Sequence, residues 1–398
     1  MRAIVWNGKR DMRVESVPDP SIVNPHDAIL RVTSTAICGS DLHLYNGLIP
    51  GMRRGDIMGH EFMGEIVAIG RACEQVRVGD RVLVMCGISC GRCWFCKHTL
   101  FSGCDNTTPA ASAVALETLY GHAGAALFGY SHLYGGYAGG QAEYVRVPFA
   151  DTGCVKVPPE LSDDRVLMLT DVFPTGYQAA ESCNIQHGDT VAVFGAGPVG
   201  QFAIVSAFMF GAERVIAIDS VPERLQMAAD QGALVIDDQK GEVLARLDEL
   251  TGGRGPDACI DAVGMEAHGT GGTDVLAAID RAKQVMRVQV DRPMALRLAI
   301  QACRKGGTVS VPGAYGGFID KFPIGSAFAK GLRIATGQTH FHRYGKPLLD
   351  RVRGGEIDPS FVITHRVSFN DLPAAYAMFD EKRDGCVKVI ARLPGART

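Results

Sequence analysis

Through roughly the first 157 residues, apolar and polar positions alternate in short runs, at 28–33, 64–69, 81–85 and 142–147, each broken by Gly, Pro or Asp. A period of two marks half-buried strands, and turn residues between them predict an antiparallel, partly barrel-like β region. The texture changes after Pro158 and Pro159. Residues 189–194 form a continuous apolar run, as a strand covered on both faces would, followed by a glycine-rich turn and an apolar helix over 199–210. A second strand is predicted at 214–218, and a second helix at 222–231, opened by Pro222 and stopped before Gly232. Alternating strand and helix implies a parallel, doubly wound sheet. Further strands are expected at 258–263, 308–311 and 332–336. The last sixty or so residues return to mixed character, with a helix at 347–353 and strands at 363–367 and 387–391. The fold class is therefore α/β, a β-rich part joined to a doubly wound one.

Two connections are long for their kind, 105–140, rich in Ala, Gly and Tyr, and 265–305. Such lengths suggest lids or interface arms rather than structureless linkers. With 398 residues, two domains are expected, with three possible. A formal charge of −3 gives no reason to expect nucleic acid or an anionic membrane as partner. No apolar stretch reaches the roughly 20 residues needed to span a bilayer, and the N-terminus carries no secretory pattern. A cytoplasmic location is the expectation.

In a large chain read as cytoplasmic, twelve cysteines point to metal or catalysis rather than disulfides. Cys90, Cys93, Cys96 and Cys104 crowd into the spacing C-x2-C-x2-C-x7-C. Four thiolates around one ion with no open position make a structural zinc site, and zinc would fix a loop with little core of its own. Iron–sulfur is the rival, but the ferredoxin run closes with three intervening residues and a Pro after its last Cys. Here the gap is seven and Asp105 follows. Cys73, Cys86, Cys154, Cys183, Cys259, Cys303 and Cys386 are scattered and expected to be small buried apolar residues.

Gly195-Ala196-Gly197-Pro198-Val199-Gly200 would be a weak signal alone in a chain with 48 glycines. Its context strengthens it, because it follows an apolar strand, opens a helix, and precedes Asp219 by nineteen residues counted from Gly200. Gly195 permits the tight turn, Gly197 lets a pyrophosphate approach the helix N-terminus, and Gly200 lets helix and strand pack closely. Asp219 would accept from ribose hydroxyls and repel a 2′-phosphate, favouring NAD over NADP. Arg224, just beyond it, joins the candidate cofactor contacts.

Cys38, Ser40, Asp41 and His43 in the run 36–43, and Gly59-His60-Glu61 with Gly64 and Gly70, complete the pattern. Taken in order with the four-cysteine lobe and the glycine turn, they make the chain resemble the zinc-dependent medium-chain alcohol dehydrogenases along essentially its whole length. The resemblance implies a GroES-like catalytic domain over 1–172 with its structural-zinc lobe at about 86–106. A Rossmann NAD-binding domain would follow over 173–336, and 337–398 would return to the catalytic domain.

It also implies a catalytic zinc with an open position, held by Cys38 and His60. Where most of the family has a third cysteine, this sequence has Asp171, within Thr170-Asp171-Val172-Phe173-Pro174-Thr175-Gly176-Tyr177. That context resembles the glutathione-independent formaldehyde dehydrogenase and dismutase subgroup. By the same resemblance Ser40 and His43 would form a proton relay, with His43 alone equally readable as a surface histidine. Asp41 would orient His60 or simply cap a helix, and Glu61 would support the site from behind or ligate transiently. Thr175, Val263, Pro312 and Lys388 fall at nicotinamide and phosphate contacts, and 265–305 at an insertion over the adenine end of NAD. His340 and His342 match no ligand position and are read as cleft-lining or surface residues.

The implied activity is zinc- and NAD-dependent oxidation of formaldehyde or another small aldehyde as its hydrate, with dismutation if NADH cannot leave. A general alcohol or polyol dehydrogenase with exchanging NAD, or a nucleotide-binding protein without turnover, are the alternatives. A homo-oligomer, dimer or tetramer, comes from the resemblance alone.

Overall fold

The computed structural model describes residues 1–265, 293–317, 319 and 321–397. The insertion expected over the cofactor within 265–305 therefore falls mostly outside the described residues. The chain separates into two compact units, one formed by Met1–Pro174 with His340–Thr398, the other by Thr175–Thr339. No helix among the described residues is long and apolar enough to cross a membrane.

The first unit is built on a sheet ordered Cys154–Lys156, Arg81–Val84, Glu61–Ile69, Ala28–Ile37, Val389–Arg392 and His365–Ser368, with Tyr144–Val147 also pairing Ala28–Ile37. Its pairings are antiparallel except the last, where His365–Ser368 runs parallel to Val389–Arg392. The helix Leu372–Asp380 supplies the crossover that a parallel pair requires. Alternating residues of Ala28–Ile37, among them Ala28, Leu30 and Val32, enter one core with Phe62, Ile66, Val82, Val84 and Tyr376. Ala28–Ile37 extends four residues beyond the expected run, and Glu61–Ile69 begins three residues earlier. Both extensions are buried on both faces, so the period of two fades there and gives no signal.

The helix expected at 347–353 begins six residues earlier, at Phe341–Arg353, with Pro347 inside it. Leu348, Leu349 and Val352 pack with Phe341 and Tyr344 along one buried face that carries the helix through the proline. The 105–140 connection holds the helix Ala110–Tyr120 and a short strand, Ala126–Leu127, paired with Gly87–Ile88. Among the scattered cysteines, Cys73 and Cys154 are only partly buried, lying at the margin of the first core, whereas the other five are buried.

The second unit carries six parallel strands in the order Leu234–Asp237, Arg214–Asp219, Thr190–Phe194, Ala258–Asp261, Thr308–Val311 and Arg333–Thr336. The order reverses beside Thr190–Phe194, which is the doubly wound arrangement. Each face has its own core. Ala192, Phe194, Ile216 and Cys259 point to one, Val191, Val193, Ala217 and Ile260 to the other, so Thr190–Phe194 is buried at every position.

Candidate functional site

The first unit gathers Cys38, His60, Glu61 and Asp171, whose donor atoms all lie within 4.8 Å of one another, all four buried. Sheet register explains the first three. Ala36 pairs with Glu61 across the antiparallel strands, so Cys38 just past one strand and His60 just before the other arrive side by side. Asp171 follows the turn Leu167–Thr170, which Cys86 N–H pins by donating to Thr170 O at 3.1 Å. His60 Nε2 stands 3.0 Å from Asp171 Oδ2, and Cys38 Sγ is 3.5 Å from the same oxygen.

The helix Gly39–Tyr45 opens at Cys38 and places the next groups. Asp41 Oδ2 accepts from Cys38 N–H at 3.0 Å, and its Oδ1 lies 3.0 Å from His60 Nδ1. One carboxylate thus fixes the helix start and stands beside the imidazole ring, whose Nε2 is turned toward Asp171. Ser40 Oγ is 3.3 Å from His60 Nε2. His43, one turn further along the same helix, is buried.

Burial, then the carboxylates of Asp171 and Glu61, push the Cys38 thiol up to about 11. Burial opposes protonation of His60, but Asp41, Cys86, Cys38 and Asp171 outweigh it and raise its pKa. A thiolate and carboxylates crowded this closely would repel one another as anions, and a divalent cation would answer that charge. Their chemistry, sulfur, nitrogen and oxygen in one buried cluster, fits zinc.

Lys388 belongs to this neighbourhood. Its side chain has no exposure, and Nζ donates to Glu61 at 2.7 Å and to Ile37 O at 3.0 Å. Its charge faces Glu61, whereas the sequence read it as a cofactor contact. Sequence gave no hint of the pairing, because 327 positions separate the two residues.

The four-cysteine lobe brings Cys90, Cys93, Cys96 and Cys104 within 4.8 Å of one another. Amides point at the sulfurs, Arg92 and Cys93 N–H toward Cys90, Cys96 N–H toward Cys93 and Cys90 N–H toward Cys104, at 3.3–3.5 Å. Asn106 Nδ2 donates to Cys90 Sγ at 3.3 Å. Burial works against the Cys90 thiolate, yet these donors bring its pKa down to about 6. Oriented donors around four thiols are what a tetrathiolate ion site needs. His340 and His342, expected at a cleft or surface, pack on this lobe instead. Ser102 donates its N–H to His340 Nδ1 at 3.3 Å, and His342 stacks on Phe101 with centroids 4.9 Å apart.

In the second unit, Gly195, Asp219, Val263 and Pro312 lie just at or past the carboxyl ends of adjacent parallel strands, the edge where such sheets bind ligands. Gly195 has φ +89°, and a Cβ on Gly200 would come 1.9 Å from Gly195 O. Pro198 and Val199 open the helix Pro198–Met209, capped at Gly197, where an added Cβ would find nothing nearer than Arg224 at 3.6 Å. Backbone is thus bared at a helix N-terminus, which fits a pyrophosphate. Asp219 holds the turn by accepting from Ala196 N–H at 2.7 Å and from Ser220 and Val221, while Arg224 stands 3.7 Å away. The Thr339 hydroxyl donates to that of Thr175 at 3.1 Å. Gly200→Ala is expected to force the turn apart, lowering the stability of the unit by about 2 kcal/mol and abolishing saturable dinucleotide binding. Thermal unfolding and NAD titration would measure both, and unchanged NAD affinity would count against this turn as the cofactor site.

Two family models match the chain, the alcohol dehydrogenase GroES-like domain over residues 24–159 and the zinc-binding dehydrogenase over 198–289. A zinc-type alcohol dehydrogenase-like protein of Bacillus subtilis, AdhB, is 38% identical over 396 residues, covering 98% of this chain and 100% of the relative. Formaldehyde dismutase of Pseudomonas putida is 33% identical over 410 residues, covering 96% and 95%. Among solved structures, the alcohol dehydrogenase TADH from Thermus sp. ATN1 aligns with a TM-score of 0.82 at 33% identity, covering 98% of this chain and 99% of that one.

Proposed function

The chain belongs to the zinc-type alcohol dehydrogenase family, and from that premise we propose that it oxidises a small aldehyde, as its hydrate, with NAD as acceptor and formaldehyde as the leading substrate. The observation that carries this reading is the buried cluster in which Asp171 stands beside Cys38 and His60. Cys38, His60 and Asp171 would hold a zinc ion, and Cys90, Cys93, Cys96 and Cys104 a second. At the first site zinc supplies, when bound, a Lewis acid that lowers the pKa of a substrate hydroxyl.

The chain's own groups do the rest. Asp41 stands against the far nitrogen of His60, and Lys388, fully buried with Glu61, balances its charge. Ser40 takes the substrate hydroxyl proton and hands it to His43. The glycine turn would hold NAD, which when bound would supply a hydride acceptor. The overall change would take a hydrate and NAD to an acid, NADH and a proton. Asp219 supports NAD over NADP, since a second anion would meet its carboxylate.

The test is a product count on zinc-loaded protein supplied with NAD and formaldehyde. Formate is the expected product, and the ratio of methanol to free NADH would tell dismutation from dehydrogenation. Turnover of ethanol with no formate from formaldehyde would reassign the chain to alcohol oxidation.

A further inference from the structure

The 105–140 segment brings one side chain to the donor cluster that neither the ligands nor the proton path employ. Ala126–Leu127 anchors it by pairing with Gly87–Ile88, and Phe128 meets Phe62 edge-on at 5.2 Å. Gly129 then lies so close to Gly59 that an added Cβ would come 2.5 Å from Gly59 N, with φ +52°. The next residue, Tyr130, is consequently set beside His60, ring centroids 6.4 Å apart at 79°. Tyr134 supports its other side at 5.4 Å.

Tyr130 is only 8% exposed, and among the described residues no partner accepts from or donates to its hydroxyl. The ring is buried while the hydroxyl oxygen keeps some access, so a ligand can meet it. A simple alcohol has one oxygen, which the donor cluster takes, and would leave the phenol unpaired. A hydrated aldehyde has two.

We propose that Tyr130 is a specificity-determining substrate contact, its hydroxyl donating a hydrogen bond to the second oxygen of an aldehyde hydrate whose first oxygen sits at Cys38, His60 and Asp171. This rests on the hydrate reading above. A site built to hydrogen-bond a substrate oxygen discriminates against the analogue that lacks it, so the phenol would favour hydrates over monohydric alcohols. The carboxylate product, with two oxygens, meets the same donor.

Tyr130→Phe removes one oxygen and keeps the ring. In the zinc-loaded chain with NAD, kcat/KM for formaldehyde is expected to fall roughly tenfold, the size of one hydrogen bond, and that for ethanol to stay within about twofold. Calorimetric titration gives a readout independent of turnover. Formate binding is expected to weaken by roughly the same factor, and imidazole, a single-donor ligand, to bind as before. Equal losses for both substrates, or unchanged formate affinity, would overturn the assignment. A parent chain inert toward formaldehyde whose formate affinity still drops in the variant would retire the hydrate oxidation and keep the Tyr130 contact.

Discussion

Asp171→Ala is expected to abolish measurable turnover while the chain remains folded. The expectation follows from the site's construction. Asp171 Oδ2 is 3.0 Å from His60 Nε2 and 3.5 Å from Cys38 Sγ, the meeting point of the donors. Partners that merely orient a metal ligand cost about 10–100-fold when removed, so loss of a donor itself should exceed a hundredfold in kcat/KM. The fold should survive, because the removed carboxylate serves the cluster and not either apolar core. Zinc content near half that of the parent, an unchanged circular dichroism spectrum and lost activity are the expected set. Asp171→Cys is the companion variant, restoring a thiolate that most of the family uses, and is expected to recover the metal. Unimpaired turnover in Asp171→Ala would remove the residue from the donor set.

Cys93→Ser reverses the order of damage. The lobe's small core consists of Cys90, Cys96, Cys104 and Ala125, with Cys93, Phe101 and Phe149 against it, so sulfur supplies most of what holds it together. Loss of one thiolate is expected to release one zinc and lower stability by about 3 kcal/mol, on the order of 10 °C in Tm. Protease cleavage between residues 90 and 104 should appear before activity declines. Thermal unfolding, metal analysis and timed proteolysis check this together. A variant as stable as the parent would mean that the lobe stands without its metal.

The contrast between these two sites also shows where sequence is informative. Four cysteines within fifteen positions announce their grouping locally, and the glycine turn is read from the strand before it and the helix after it. The two units' sheets were legible for the same reason, since burial periodicity is a local pattern. Asp171 is different. It lies 111 positions beyond His60, and only its resemblance to a known family drew attention to it. Tyr130 carries no signal at all, because its place depends on how closely Gly129 approaches Gly59. The pairing of Lys388 with Glu61 is illegible for a related reason, since it is fixed by a strand pairing that nothing local encodes. The first six residues of the helix Phe341–Arg353 were not legible because that helix is held by tertiary packing.

The division of the first unit between Met1–Pro174 and His340–Thr398 also sets an order of assembly during synthesis. Val389–Arg392, which lies beside Ala28–Ile37 in the main sheet, leaves the ribosome only after all of Thr175–Thr339 has been made. The second unit, continuous in sequence, can therefore complete its fold while the first still has an open sheet edge. Lys388 arrives with that same late strand, so until then Glu61 is a buried acid without its counter-charge. The continuous unit can thus be complete first, and the closing stroke of translation supplies the lysine that faces Glu61.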